Sequence, residues 1–170
     1  MPTLDHIFTS SPGNPTVGDA HAVNPFADQD ALTEAQVIEI RYRGITSTLG
    51  VLLEMRLADR IRTTSTALIV AASVSIYSWQ QTDRNHGRTA WTIIRSTPKR
   101  TPSGLTLELV TSPSALLSFT AHQASFYSLL VDSLEKSAPP DYVDQTMPEI
   151  LSAVPRWSSE VQVAQASHFL

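Results

Sequence analysis

TALIVAASVSIYSWQ, residues 66–80, is the stretch that decides the fold. Apolar side chains alternate along it with small or polar ones, which is the period of a β-strand. The even-numbered positions would share one face of the strand and the odd-numbered positions the other. Because strands usually run about three to ten residues, we predict that this one is bent or split around Ala71-Ala72.

Shorter segments with the same alternation lie on both sides of this strand. They occupy residues 36–43, 89–95, 105–109 and 115–119. The polar run from Gln80 to Arg88 is typical of the loop of a hairpin.

Residues 49–62 fit two structures. Leu53, Leu57 and Ile61 would line one face of a helix, but the same segment also alternates with a period of two. Gly50 favours the strand, because glycine destabilises the interior of a helix.

The period becomes helical after Phe119. Thr120-Ala-His-Gln123 has the form of a capping box, and it precedes an apolar stripe at helical spacing, formed by Phe126, Leu129, Leu130 and Leu134. We therefore expect one amphipathic helix that ends before Pro139-Pro140.

A second capping-box pattern lies closer to the C-terminus. Thr146 and Glu149 have the required spacing, and Pro148 falls in the first turn, where proline is tolerated. This pattern predicts a short C-terminal helix.

Together these segments define a fold class, because sequential strands with short connections usually pair with their neighbours. The prediction is an α+β fold: an antiparallel β-meander of five or six strands, with one amphipathic helix packed on one face and a short C-terminal helix. Residues 1–35 would be an extended or disordered N-terminal arm, 36–136 the sheet-plus-helix domain, and 137–170 a short helix and tail packed on that domain.

Composition excludes several classes of function. The chain has 170 residues and no cysteine, so thiol catalysis, cysteine-ligated zinc and disulfides are impossible. No signal-peptide pattern precedes the sheet, and no apolar run reaches the length of a membrane span. We expect a soluble, cytoplasmic protein without a membrane partner.

Charge is unevenly distributed along the chain. Residues 1–36 carry a net charge of −5, residues 37–100 carry +6, and residues 101–170 carry −5. Either the acidic ends fold back and neutralise the middle, or the middle forms a basic surface for an acidic partner.

No pattern of catalytic or cofactor-binding residues is present. The five histidines do not have metal-ligand spacing, and there is no nucleophile elbow, phosphate loop or dinucleotide fingerprint. We expect no cofactor and no metal, and the sequence favours a protein without catalytic activity.

The candidate site residues lie in the basic stretch and in the C-terminal tail. Hairpin tips often carry functional side chains, and Trp157 would either dock the tail or anchor a partner. These partner-binding candidates are Arg84, His86, Arg88, Arg95, Lys99, Arg100 and Trp157. The acidic overall charge argues against a nucleic-acid partner.

Three hypotheses of function follow from this. The first is a small non-catalytic binding protein that acts by protein–protein contact with an acidic partner, such as an inhibitor or a toxin-neutralising protein of the immunity type. The second is a sheet-and-helix cup for a small apolar ligand, with room left by the small residues Ala71, Ala72, Ser73 and Ser75. The third is a hydrolase whose site is assembled from distant segments.

Overall fold

The computed structural model describes residues 1–10, 18–82 and 87–170. Within these ranges the chain forms seven strands and two short helices. In chain order they are α1 (Leu4–Ser10), β1 (Gln36–Arg43), β2 (Thr48–Glu54), β3 (Thr66–Gln81), β4 (Trp91–Thr101), β5 (Gly104–Ser112), β6 (Ala115–Leu130), α2 (Met147–Ser152) and β7 (Gln162–Phe169). The expected antiparallel sheet is confirmed, with seven strands instead of five or six.

The sheet closes on itself. Its strand order is β3-β2-β1-β4-β5-β6-β7, every pairing is antiparallel, and β3 also pairs with β6. Strands β1 to β6 therefore form a ring, while β7 pairs with the second half of β6. The junction between β1 and β4 is short, with Gln36 opposite Thr92 and Val37 opposite Trp91.

Apolar side chains fill the inside of this ring. We call this cluster the inner core. The alternation along β5 holds, with Leu105, Leu107 and Leu109 all fully buried in it. Phe26 and Leu32, from the segment before β1, are buried in the same cluster. The ring is thus a packed core and not an open channel.

The long strand β3 agrees with the prediction. It is continuous from Thr66 to Gln81. Ser73 has a φ of 52°, and the pairing register with β6 shifts between Val74 and Ile76. The strand therefore bends next to the expected point. In the ambiguous segment, the strand interpretation is confirmed for Thr48–Glu54.

The predicted amphipathic helix is wrong, because Phe126, Leu129, Leu130 and Leu134 do not form a helical stripe. The first three belong to strand β6, which runs on to Leu130. Phe126 faces the inner core, whereas Leu129 packs in a second cluster on the outside of the ring. A strand buried on both faces loses its alternation, and its apolar spacing then imitates a helix.

The N-terminal segment differs from the extended or disordered arm that we expected. Residues 4–10 form α1, whose Leu4, Ile7 and Phe8 are buried. They pack with Leu52, Leu68, Tyr127, Leu129 and Trp157 on the outside of the ring. We call this cluster the outer core. The few apolar residues of this polar N-terminal stretch show no helical period in the sequence. The helix is therefore stabilised by its tertiary packing and not by a local pattern. The division at residues 35 and 136 stays a prediction.

The short C-terminal helix is confirmed. Thr146 accepts a hydrogen bond from the backbone N–H of Glu149, whose side chain accepts one from the backbone of Thr146. The tail beyond it contains strand β7, which the sequence analysis missed because its residues are mostly polar or small. None of the helices formed by the described residues is long and apolar enough to span a bilayer.

A buried ion pair fastens the C-terminal segment to the ring. The guanidinium of Arg56 lies 2.7 Å from the carboxylate of Glu54, and both side chains are nearly fully buried. Arg56 also donates to the backbone carbonyls of Ser137, Ala138 and Ala153. These bonds hold the segment that carries α2 against β2.

We predict that Gly50 sets how closely α1 approaches the sheet. A Cβ atom at this position would lie 2.8 Å from the Phe8 ring and 3.2 Å from Trp157. Because both rings are packed in the outer core, Gly50→Ala should lower the free energy of unfolding by about 1–3 kcal/mol. Chemical denaturation measures this change.

Gly44→Ala is the matched control, since a Cβ there would meet only Tyr42, at 3.9 Å. It should change stability by less than about 0.5 kcal/mol. Equal stabilities for the two variants would contradict the packing of α1 on β2.

Candidate functional site

The structure places the partner-binding candidates of the basic stretch in different environments. Arg84 and His86 lie outside the described residues. Arg95 and Lys99 are exposed and point outward from β4. Arg100 sits at the end of the strand, where its guanidinium lies 5.2 Å from the Phe169 ring. Of these, only Arg95 and Lys99 share a face.

The other two candidates make contacts within the chain. Arg88 donates to the backbone carbonyls of Gln145, at 2.8 Å, and Val143, at 3.5 Å. Trp157 is only 8 % exposed and packs against Phe8, so it docks the tail onto the ring. Arg41 stacks over the Trp157 ring at 4.0 Å and covers it further.

One side of the ring has a bare outer face. The outward positions of four neighbouring strands form three cross-strand rows there, and none of these residues is buried. We call this the open face; its residues are Ile76, Ser78, Gln80, Arg95, Thr97, Lys99, Thr106, Glu108, Val110, Leu116, Ser118 and Thr120.

The open face combines apolar and cationic side chains. Ile76 is 66 % exposed, and Ile94, at the register shift of β4 beside Arg95, is 52 % exposed. Lys99 lies 3.8 Å from Glu108. Among the described residues Arg95 has no hydrogen-bond or salt-bridge partner. The face therefore carries one unneutralised positive charge beside exposed isoleucine.

A groove lies between α2 and the short β1–β4 junction. Its volume is about 290 Å³ and it opens to solvent. Apolar side chains form most of its wall; they are Val37, Ile38, Trp91, Met147, Ile150, Leu151 and Val154. The polar side chains of the same wall are those of Gln36, Arg88, Thr89 and Tyr142.

Two polar atoms of this groove are buried without a partner. In the described part of the chain, three buried side-chain atoms lack a hydrogen bond: Gln36 Oε1, Tyr142 Oη and Trp157 Nε1. The first two belong to groove residues. Burial raises the pKa of Tyr142 to about 12, and the negative charge of Glu54 adds to this while Arg56 opposes it. The hydroxyl therefore stays protonated and can donate.

Sequence reasoning missed both of these residues. Gln36 only marked the beginning of a strand. Tyr142 follows Pro139-Pro140 in a polar segment, and an isolated aromatic residue there was the one available signal. The cup expected at Ala71 to Ser75 is a different place. Ala71 belongs to the inner core, whereas Ala72 and Ser73 line a second, more polar groove of about 390 Å³ beside Phe8 of α1.

Three serine–histidine hydrogen bonds bear on the hydrolase hypothesis. His21 hydrogen-bonds to Ser167 and Ser128, each at 2.7 Å, and Ser125 hydrogen-bonds to His168 at 2.8 Å. All three serines are buried. Across residues 1–10, 18–82 and 87–170, no carboxylate hydrogen-bonds to either imidazole. These contacts tie β6 and β7 together and offer no accessible nucleophile.

The described residues contain no group of three or more histidine, aspartate or glutamate side chains that could hold a metal ion. Comparison with models of protein families, with curated proteins and with solved structures finds no match.

We predict that His21 makes stability depend on pH. Burial lowers its pKa from 6.5 to about 4. At lower pH the folded protein then binds fewer protons than the unfolded chain. The contribution of neutral His21 to the free energy of unfolding is therefore complete above pH 6.5 and is lost as the pH falls towards 4. Between pH 6.5 and 4 this loss of unfolding free energy should amount to about 3 kcal/mol.

Urea denaturation at pH 7 and pH 4 measures this change. His21→Gln should show a smaller loss of stability than the unaltered protein, whereas His122→Gln, which alters an exposed strand residue, should show the full loss. Identical losses of stability in all three proteins would show that His21 is not the source of the pH dependence.

Proposed function

We propose that this protein is a non-catalytic binding protein that acts by protein–protein contact through its open face. The observation that carries the proposal is the outer side of four paired strands, which no other described segment covers. There exposed Ile94 adjoins Arg95, which has no hydrogen-bond or salt-bridge partner among the described residues. Exposed apolar side chains that are grouped on one face are typical of a contact surface.

The choice of the open face is supported by a comparison with the outer sides of the other strands. The outer sides of β2, of the first half of β3 and of the second half of β6 are covered by α1, Trp157 and the C-terminal segment. No other segment of the described residues covers the outer side of β4 and β5 in this way. Because the strands under this face are held in place by their pairing, the face needs little rearrangement to meet a partner, so little ordering entropy opposes the contact.

Charge specifies the kind of partner. No described residue pairs with Arg95, and Lys99 is only weakly paired with Glu108 at 3.8 Å. The matching surface would present an apolar patch next to a carboxylate, which favours an acidic protein. An inhibitor or toxin-neutralising protein that covers such a surface on its target is the form of this function that we propose.

The area of the open face limits how strong the contact can be. From strand spacing, the open face covers about 300 Å², whereas a standard interface takes about 800 Å² from each partner. The open face would therefore be the centre of the contact, with Ile94 and neighbouring loops at its rim. We expect association to depend on salt, since charge pairs at a rim are screened over about 8 Å at physiological ionic strength.

Affinity capture with three baits tests this proposal. The baits are the unaltered protein, the double variant Ile94→Ser/Arg95→Glu, and the control Arg62→Glu. Arg62 is exposed in the loop between β2 and β3, away from the open face, and its reversal changes the net charge by the same amount. Quantitative mass spectrometry should find an acidic protein retained by the unaltered and control baits.

The double variant should retain that protein at least tenfold less, because its face lacks both the isoleucine and the cation. Raising the salt from 50 to 300 mM should weaken capture by the unaltered bait. If the three baits retain the same proteins in equal amounts, the open face is not a contact surface.

A further inference from the structure

The groove between α2 and the β1–β4 junction is separate from the open face and shares no residue with it. We infer that this groove binds a small neutral amphiphile: a chain of about seven carbons that ends in a primary amide or hydroxyl head group. The head group would meet Gln36 and Tyr142, and the apolar body would lie along α2.

The size and lining of the groove limit the ligand. A volume of about 290 Å³ is at the lower end of known ligand sites, which run from about 300 to 1,000 Å³. Met147 and Leu151 of α2 are each nearly half exposed, although they face this apolar wall. An alkyl chain would remove their surface from water and gain the usual free energy of apolar burial.

The two unpartnered atoms specify the head group. Gln36 is 7 % exposed, and its Oε1 accepts no hydrogen bond, while its amide nitrogen reaches Thr92 only at 3.5 Å. Tyr142 Oη is likewise buried and unpaired. Buried polar groups in native proteins almost always have a hydrogen-bond partner, so two unpaired polar atoms on residues of the same groove require explanation. A group that both donates and accepts, such as an amide or hydroxyl, would satisfy both.

The two guanidinium groups near the groove already hold hydrogen-bond partners within the chain, which favours an uncharged ligand. Arg56 pairs with Glu54 behind Tyr142. Arg88, at the rim of the groove, donates to the backbone carbonyls of Val143 and Gln145. A carboxylate would have to enter beside Glu54 and lose its hydration, whereas a neutral amide would not.

Titration with three compounds of equal chain length tests this inference. Heptanamide both donates and accepts, N,N-dimethylheptanamide accepts only, and heptanoate is charged. Binding is followed by the amide chemical shifts of Ile38, Thr89 and Leu151. Heptanamide should bind at least tenfold more tightly than either of the other two compounds.

Two variants test whether the preference for heptanamide depends on the unpaired polar atoms of Gln36 and Tyr142. Tyr142→Phe and Gln36→Met keep the shape of the side chain and remove the polar atom, so each should weaken heptanamide binding at least fivefold. Tyr77→Phe is the matched control, because it deletes a phenol hydroxyl outside the groove. It should leave binding unchanged.

The unliganded proteins give a second readout. Because an unpartnered buried group destabilises the folded state, Tyr142→Phe and Gln36→Met should melt at the same temperature as the unaltered protein or a few degrees above it. The inference is overturned if both variants melt several degrees lower, if heptanamide and its dimethyl derivative bind equally, or if no compound shifts the groove resonances at 10 mM.

Discussion

The pairing of β3 with β6 is the constraint on which the rest of the structure depends. It runs from Thr66 opposite Leu129 to Gln81 opposite Ala115, so it uses nearly the whole of both long strands. Without it the chain would be an open sheet with two edges exposed to other molecules. With it, β1 to β6 enclose the inner core, and Phe126, Phe119 and Ile69 pack inside. The register shift beside Ser73 provides the bend that closure requires.

The same two strands divide the outer surface into a covered half and a bare half. Along Thr66–Ala72 and the second half of β6, the outward side chains pack under α1, Trp157 and β7. Beyond the bend, the outward positions from Ile76 to Gln80 are left uncovered by the described part of the chain, and the same face continues into β5 and β4. Both proposed sites follow from this division: the open face lies on the bare half, and the groove forms where the C-terminal segment ends its cover beside β1.

Local patterns predicted the parts of the fold that depend on neighbouring residues. The alternation in β5 and the capping box at Thr146 each report a local interaction, so both were predictable. The second half of β6 was not, since Phe126 and Leu129 are buried on opposite faces and leave no period of two. The groove brings Gln36 together with Tyr142 from distant parts of the chain, and only the folded structure shows their shared lack of partners.

Disulfide cross-linking across β3 and β6 tests the closure most directly, and the chain has no cysteine of its own to interfere. Ala72 lies opposite Gln123 in the register, and opposite residues in a sheet are close enough for a disulfide. The closed sheet predicts rapid oxidation of Ala72→Cys/Gln123→Cys to an intramolecular cross-link with a raised melting temperature. Ala72→Cys/Ser125→Cys, two residues out of register, should cross-link much more slowly. Equal rates for the two pairs, or no cross-link in the first, would contradict the β3–β6 pairing.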